Sequence, residues 1–302
     1  MELTVLTEYD RTIEVKSNAH FQHLGFDLRC LKPRTLTYCQ RPDFFPVCVY
    51  SDAVSSIITT KDLYASWTGT QGPITKGVAI SARPAEDFFR FHNFLVLNTN
   101  LYERSDENQV GQNCNISGLA SVSKKNVQIG HNVFIDDFVK ICDNVTIDDN
   151  TAIRAGTVIG DNGFQAMSTE TGILKVIHVG GVHIGKNVEI MSNCMVGRHI
   201  FDDDTIIGED TVMDHFVYVA HGSNIGSRCR IGAHVAICGS TIIEDDVYIA
   251  PSATISSGLH LGSGAFISLG SVVTEDVEAG RRVTGNFAIS HARFIEFIKS
   301  IR

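Results

Sequence analysis

An apolar residue recurs at every sixth position along much of this 302-residue chain. A period of six matches neither the roughly 3.6-residue repeat of a helix nor the two-residue alternation of a long strand, but it is the period of hexapeptide β-solenoids. Each hexad therefore predicts one short strand and one corner. The two columns consist of Ile129, Ile135, Ile141, Ile147, Ile153 and Ile159, then Ile207, Met213, Val219, Ile225, Ile231, Ile237, Ile243, Ile249, Ile255, Leu261, Ile267 and Val273.

The residues around each column position agree with that geometry. Small or β-branched side chains such as Thr211, Val217 and Val235 lie two positions before it and suit a closely stacked, pleated wall. Glycine and other turn formers follow it, as at Gly208 and Gly226. Coincidence in an aliphatic-rich β protein does not account for twelve successive matches in one register.

Composition and charge limit the partners and the compartment. A net charge of -9 argues against binding to a nucleic-acid backbone, which requires a basic surface. The eight cysteines show no CxxC pair and no zinc-like spacing, so we expect buried thiols in a reducing cytoplasm. The segment Met1–Asp10 is polar and acidic, unlike a signal peptide, and no apolar run reaches membrane length. We expect a cytoplasmic protein without membrane insertion.

Residues 1–100 lack the six-residue period and predict a separate α+β domain. Pro84 opens an expected helix whose apolar face carries Phe88, Phe91, Phe94 and Leu95. The short strands expected before it are Leu3–Leu6, Thr12–Val15, Leu36–Tyr38, Val47–Tyr50, Ser56–Thr59 and Gly77–Ser81.

Two aromatic residues flank a turn in this domain, Tyr38 and Phe44. One interpretation makes them core residues. The other makes them a stacking slot for a nucleobase, with Arg41 available to a diphosphate or a base carbonyl. The sequence by itself leaves both open.

A polar linker, Tyr102–Asn113, leads into the solenoid, which we place at residues 114–285. The period is expected to be interrupted once, by a loop at residues 161–176 that binds ligand or has only a structural role. Residues 286–302 predict a short amphipathic C-terminal helix on Phe294, Phe297, Ile298 and Ile301.

Because three hexads close one coil, residues eighteen apart are stacked neighbours. His221 follows a column residue, and Gly239 lies eighteen positions later. A histidine beside a glycine N–H suits acyl transfer, in which the imidazole removes a proton and the N–H stabilises an oxyanion. Asp214, at the preceding corner, is a candidate partner for the imidazole N–H. The alternative is a solvated corner histidine.

Three separated motifs resemble the UDP-3-O-acylglucosamine N-acyltransferases of lipid A synthesis, over most of the chain from about Leu24 to about Gly285. They are the Leu36–Phe44 segment, the Ile159–Phe164 segment, and Asp204–Gly208 with Met213, Asp214 and Val219–His221.

The resemblance implies a left-handed parallel β-helix that forms a homotrimer with active sites between neighbouring subunits. It implies that His221 is the catalytic base, Asp214 its partner and Gly239 the oxyanion donor. The family's nucleotide-binding aromatic pair falls on Tyr38 and Phe44, although Arg41 replaces the family's Asn. Phe164 is included with these as a substrate-binding residue.

The C-terminal region departs from that family and shapes the expected reaction. It is shorter than the family's helical extension, and Gly285–Ala288 is similar to the end of hexapeptide sugar acetyltransferases that use acyl-CoA, with Phe287 where Pro is usual. We therefore expect an N-acyltransferase moving a short acyl group, acetyl or 3-hydroxyacyl such as 3-hydroxybutyryl, from acyl-CoA to a dTDP- or UDP-linked amino deoxy sugar for surface polysaccharide synthesis. Gly239, Gly285 and Asn286 would contact the acyl-CoA, and no metal or bound cofactor is expected.

Three alternatives remain open. The first is the lipid A N-acyltransferase reaction itself, with an acyl-carrier-protein donor. The second is a metal hydratase, because His178 and His183 have a ligand-like spacing. The third is a non-enzymatic solenoid that acts as a binding scaffold.

Overall fold

The computed structural model describes residues 1–29, 31–104, 107–285 and 290–301. Its N-terminal part is a five-stranded sheet of order β1-β5-β4-β3-β2, in which β1 is antiparallel to β5 and the other pairs are parallel. The elements are α1 (Val5–Tyr9), β1 (Glu14–Ser17), β2 (His23–Leu24), β3 (Thr35–Cys39), α2 (Phe45–Tyr50), β4 (Val54–Thr59), α3 (Lys61–Thr70), β5 (Gly77–Ile80) and α4 (Pro84–Asn98).

Helix α4 forms as expected from its apolar spacing. Phe88, Phe91 and Leu95 are fully buried on its inner face. They join one cluster with Leu36 and Ile58 of the sheet. At about 2 kcal/mol per large apolar side chain removed from water, this face holds the helix on the sheet.

Two expected strands of the N-terminal part are helices instead. Leu3–Leu6 overlaps α1 and Val47–Tyr50 overlaps α2. In each, the buried residues are spaced three apart, Leu3 with Leu6 and Phe45 with Cys48, which is a helical spacing. The strand expected at Thr12–Val15 begins two residues later, at Glu14. Helix α3 was not expected from the sequence; the Thr60 side chain caps it by accepting from the Leu63 N–H at 3.3 Å.

The described residues from Gln109 to Val283 form three parallel sheets that stack coil upon coil. The first wall comprises β6 (Gln109–Val110), β9 (Val127–Ile129), β12 (Val145–Ile147), β17 (Gly181–Ile184), β20 (Asp204–Ile207), β23 (Asn224–Ile225), β26 (Ile242–Ile243) and β29 (His260–Leu261). The second comprises β7 (Asn115–Ile116), β10 (Phe134–Ile135), β13 (Ala152–Ile153), β18 (Glu189–Ile190), β21 (Val212–Met213), β24 (Arg230–Ile231), β27 (Tyr248–Ile249), β30 (Phe266–Ile267) and β32 (Arg282–Val283). The third comprises β8 (Ser121–Val122), β11 (Lys140–Ile141), β14 (Val158–Asp161), β19 (Met195–Gly197), β22 (Tyr218–Val219), β25 (Ala236–Ile237), β28 (Thr254–Ile255) and β31 (Val272–Val273).

The register confirms the coil length read from the period. Tyr218 pairs with Ala236, eighteen residues later, and Val219 pairs with Ile237. The column residues are buried along the inside of the helix, with Ile237 fully inaccessible to solvent. Parallel pairing already begins at β6, inside the expected linker.

The backbone conformation at the corners accounts for the polar residues found between the strands. Many corner residues have positive φ, including Asn132 at 57° and Asn150 at 60°. Asparagine tolerates the left-handed region better than most side chains. These asparagines also form a ladder, since Asn132 Nδ2 donates to the side-chain oxygen Oδ1 of Asn150 at 3.0 Å.

Two segments interrupt the coils, not one. The expected loop at 161–176 contains an antiparallel hairpin, β15 (Ala166–Thr169) with β16 (Gly172–Lys175). A second interruption, residues 198–203, separates β19 from β20. It adds five residues to the coil, since Val196 pairs with Val219 at a separation of 23 instead of 18. The sequence did not reveal it because so short an insertion, with buried Ile200 and Phe201, carries no loop signal.

Both interruptions pack on the N-terminal domain. Val176 from the first, with Ile200 and Phe201 from the second, belongs to the core cluster of α4 and the small sheet. The two parts of the chain thus share buried surface, and the interruptions form the joint between them.

Past the β-helix, α5 (His291–Ser300) is the short C-terminal helix, with Phe294 and Phe297 about half exposed. The seven described cysteines are free thiols, and Cys30 lies outside the described residues.

Candidate functional site

The structure brings His221 and Gly239 into contact. They follow the paired strands β22 and β25 at the same corner, so the backbone of Gly239 lies against the imidazole. A Cβ added at Gly239 would lie 2.7 Å from His221 Nε2 and 2.9 Å from Nδ1, so only glycine fits there without displacing the ring. Among the described residues, the Gly239 N–H donates no hydrogen bond, which leaves it available to a ligand.

His221 is buried, with 8% of its surface exposed. Burial lowers the pKa of His221 to about 4, and the nearby His178 and His199 add to the effect by disfavouring a second positive charge. The imidazole is therefore neutral at physiological pH and offers one nitrogen lone pair as a proton acceptor.

Asp214 does not reach His221 within one chain. Its Oδ1 accepts from the His215 N–H at 2.7 Å, at the corner that follows the second wall. It lines a separate cavity of about 270 Å³ with Arg230 and Tyr248. The expected pairing is absent from the described chain because consecutive corners of a coil lie at opposite ends of one wall.

Two histidines that were not expected at this site lie beside His221. The ring centroids of His178 and His221 are 5.5 Å apart, with an angle of 64° between the planes. His199 is also near, because a Cβ on Gly222, the residue after His221, would be 3.1 Å from its Nε2. His178 follows the first interruption and His199 belongs to the second. A histidine in or directly after a break of the period is therefore the sequence signal that could have found them.

His178 and His183 do not act together as metal ligands. His183 Nε2 contacts Asp148 Oδ2 at 3.1 Å, away from the His178 ring. Within the described ranges, no group of three or more His, Cys, Asp or Glu side chains could hold a metal ion. The hydratase alternative therefore has no support in the structure.

Helix α4 fixes the backbone that leads to His178. The Asn93 side chain donates to Lys175 O at 2.8 Å and accepts from the Ile177 N–H at 3.0 Å. His92 Nε2 donates to Ile177 O at 2.8 Å, and Tyr102 OH donates to the other ring nitrogen. His92 and Asn93 both belong to α4, so the N-terminal domain positions one wall of the site.

Two clefts meet at this cluster. A cleft of about 470 Å³ is lined by His221, Gly239 and Tyr218, with Phe26 of the N-terminal domain. A second, of about 830 Å³, lies against the hairpin and includes Gly163 and His178. Phe164, a predicted substrate-binding residue, is 84% exposed and lines both clefts.

A loop of the N-terminal domain borders the same region. Arg29 donates from Nη1 to Gly258 O at 2.8 Å and from Nη2 to Ser240 O at 2.9 Å. Lys32 Nζ donates to Asp202 O at 2.7 Å, and His23 contacts Asp202 Oδ2 at 2.6 Å. These bonds attach the N-terminal domain to the coil edges on both sides of His221.

The expected aromatic slot is not formed by the two rings together. Tyr38 packs on Phe88 with ring centroids 5.1 Å apart, and burial raises the pKa of its hydroxyl. Phe44 is 46% exposed, with the Arg41 guanidinium 4.8 Å from its ring centroid. Tyr38 is thus a partly buried residue packed against the core, whereas Phe44 and Arg41 form an exposed pair.

The other predicted acyl-CoA contacts lie farther along the solenoid. Gly285 lines a separate cavity of about 220 Å³ with Ser271 and Thr284. Asn286 lies outside the described residues.

Parts of the chain match a known protein family and known enzymes. Residues 126–161 and 204–239 match the family model described as bacterial transferase hexapeptide (six repeats). The UDP-3-O-acylglucosamine N-acyltransferase of Caulobacter vibrioides is 42% identical over 91 residues, which cover 30% of this chain and 26% of that protein. That of Oleidesulfovibrio alaskensis is 44% identical over 84 residues, covering 28% and 24%. The matched stretch spans about a quarter of the length of these relatives.

A solved structure supports the fold. The UDP-N-acetylglucosamine acyltransferase from Campylobacter jejuni superposes with a TM-score of 0.53 at 20% identity, covering 65% of this chain and 80% of that one. The expected fold class, a left-handed parallel β-helix preceded by a small α+β domain, is confirmed. No helix in the described part of the chain is long and apolar enough to cross a membrane. The chain is thus similar to hexapeptide transferases over two segments and to UDP-3-O-acylglucosamine N-acyltransferases over 91 residues.

Proposed function

We propose that this hexapeptide-repeat chain is an acyltransferase that moves an acyl group from a thioester to the amino group of a nucleotide-linked amino sugar. The observation that carries the proposal is the contact between the His221 imidazole and Gly239, whose N–H has no partner among the described residues. A neutral base and a free backbone donor at one corner are the two groups that acyl transfer requires.

In the proposed reaction the amine nitrogen attacks the thioester carbonyl carbon. His221 accepts a proton from the amine, and the Gly239 N–H stabilises the oxyanion of the tetrahedral intermediate. The C–S bond then breaks as His221 returns the proton to the thiolate, so the products are an amide and a free thiol. These steps use side-chain and backbone groups of the protein and need no metal.

The relatives bear on the choice of acceptor. Because they are named UDP-3-O-acylglucosamine N-acyltransferases, they favour that acceptor over the amino deoxy sugar that we expected from the sequence. The donor proposed with that acceptor is an acyl-carrier protein. The short-acyl reaction, from acyl-CoA to a dTDP- or UDP-linked amino deoxy sugar, is the second candidate. It rests on the similarity of the Gly285–Ala288 segment to CoA-dependent sugar acetyltransferases.

The remaining substrate contacts belong to the same proposal. Phe44 and Phe164 present exposed aromatic surface for the nucleobase, and Arg41 supplies a cation for the diphosphate. We assign the pantetheine arm to the path from Gly239 toward Gly285 along the solenoid.

We propose that the chain acts as a homotrimer. Phe138 and Phe216 expose 68% and 51% of their surface along the corner between the second and third walls, which is apolar area that packing of copies would bury. The role of Asp214 as partner of His221 is proposed only for such an assembly, with the carboxylate supplied across the interface.

A thiol-release assay tests the proposed function. It crosses acetyl-CoA, 3-hydroxybutyryl-CoA and a 3-hydroxyacyl-carrier protein with UDP-3-O-acylglucosamine and a set of dTDP- and UDP-linked amino sugars. Release that requires both substrates and disappears in His221→Ala supports the proposal, and the productive donor chooses between the two candidates. Release that persists in His221→Ala, or no release with any pair, contradicts it and favours a binding scaffold.

A further inference from the structure

His178 carries a buried nitrogen without a partner. Only 6% of its surface is exposed, and its Nδ1 lies 3.1 Å from Val176 O. Because a carbonyl oxygen only accepts, Nδ1 bears the hydrogen, and Nε2 is left as a bare acceptor. Among the described residues Nε2 has no hydrogen-bond partner. Since a buried acceptor without a partner is unfavourable, a donor from outside the chain is expected there.

Gly163 lies against both imidazoles. A Cβ placed on Gly163 would be 3.0 Å from His178 Nε2 and 3.0 Å from His221 Cδ2. Any side chain at residue 163 would therefore press on both rings, so glycine is what lets the chain pass beside them. Gly163 and His178 both line the larger cleft, so the His178 ring borders a region that a substrate can enter.

The two rings offer the same chemistry. Burial lowers the pKa of His178 to about 4, as it does for His221, so both imidazoles are neutral and each offers one lone pair. A neutral amine that attacks through its own lone pair carries two N–H groups, whereas a hydroxyl carries a single O–H. Two neighbouring acceptors can therefore each take one N–H of an amine, whereas a hydroxyl can satisfy only one of them.

We propose that His178 Nε2 accepts a hydrogen bond from one N–H of the acceptor amine while His221 removes the other proton, so that the pair selects an amine over a hydroxyl. The inference rests on the proposed function and adds a specificity-determining residue to it. After transfer the product amide keeps one N–H, which remains bonded to His178. The bonds from Asn93 and His92 hold the peptide before His178 in the required position.

The test compares acceptors that differ only in the reacting group. His178→Leu removes the acceptor, His178→Gln retains one as an amide oxygen, and His183→Leu is a matched control at a histidine bonded to Asp148 outside the site. The loss of one hydrogen bond to a nucleophile corresponds to about a tenfold change in rate. We expect His178→Leu to lower kcat/KM for the amine about tenfold relative to the matching hydroxyl acceptor, and His178→Gln and His183→Leu to retain the wild-type preference. An unchanged preference in His178→Leu, or equal losses on both acceptors, overturns the inference.

Binding without a donor separates this inference from the proposed function. UDP-glucosamine and UDP-glucose differ only by an amine or a hydroxyl at one carbon, and their affinities are measurable by calorimetry even if no transfer occurs. We expect the wild-type protein to prefer UDP-glucosamine, and His178→Leu to lose that preference while retaining the wild-type melting temperature within a few degrees. A wild-type protein that binds both equally, or neither, overturns the inference whatever the outcome of the thiol-release assay.

Discussion

The imidazole of His221 rests on the backbone of Gly239, one coil further along the chain, so closely that a Cβ at residue 239 would lie 2.7 Å from Nε2. This contact places the proton acceptor and the free N–H of Gly239 at one corner of the β-helix. It also means that no side chain fits at residue 239 without displacing the His221 ring.

Gly239→Ala should therefore abolish most activity while the β-helix remains folded. The new methyl group displaces the His221 ring and the N–H beside it, and loss of an oxyanion donor costs about 10²- to 10³-fold in kcat. Steady-state thiol release and circular dichroism measure the two effects. Gly69→Ala is the control, because a Cβ there meets no atom within 4 Å. It lies in α3, where alanine is favoured over glycine by about 1 kcal/mol. Equal activity in both variants would contradict the site.

Stability should decrease between about pH 6.5 and about pH 4. Burial lowers the pKa of His92, His178 and His221 to about 4, from 6.5. Above pH 6.5 these rings are neutral in the folded and unfolded chain alike, so their stabilising contribution is complete. As the pH falls toward 4, the unfolded chain binds protons that the folded chain does not, at a cost of up to about 1.4 kcal/mol per pH unit and histidine.

Urea unfolding at a series of pH values checks this slope. In His92→Gln the slope of the free energy of unfolding against pH should be smaller by the contribution of one histidine, up to about 1.4 kcal/mol per pH unit. A free energy that stays constant down to about pH 4.5, where the carboxylates begin to titrate, would show that the histidines are not held neutral by the fold.

Asn93 should matter to both stability and activity. Asn93→Ala leaves Ile177 N–H and Lys175 O without their partner, at a cost of about 1–3 kcal/mol, and frees the peptide that positions His178. The melting temperature and kcat/KM should both fall. Asn98→Ala is the matched control, because among the described residues its side chain bonds within its own helix, to Phe94 O. Wild-type kcat/KM in Asn93→Ala would show that the hydrogen bonds of Asn93 do not affect the site.

The column of the β-helix should behave as a packed core. Ile237→Ala removes a fully buried side chain and should lower the free energy of unfolding by about 2–5 kcal/mol. Val272→Ala, at a position 61% exposed on the same wall, should change it by less than about 0.5 kcal/mol. Chemical denaturation distinguishes the two, and similar losses would mean that the column is not the main source of stability.

The sequence was informative where the structure repeats. An apolar residue every sixth position specifies which residues stack, so the coil length and the contact between His221 and Gly239 followed from counting. Helix α4 followed as well, because its apolar face has a helical spacing over several turns. The short helices α1 and α2 did not, since five or six residues carry too little periodicity to separate a helix from a strand.

Residues in different parts of the pattern could not be placed by counting. Asp214 and His221 are seven positions apart, yet the corner geometry keeps their side chains from meeting within one chain. Tyr38 and Phe44 are six apart, and the packing of Phe88 draws only Tyr38 into the core.

What the sequence by itself determined is the repeating wall and the pair of residues that the repeat stacks at one corner. What only the tertiary structure decided is the surroundings of that pair, including His178, His199 and the clefts beside them. The physical reason is that His199 lies in a break of the period and His178 directly after one, where no local repeat dictates the path of the backbone. Their positions depend on Val176, Ile200 and Phe201 packing into the core of a domain far away in sequence.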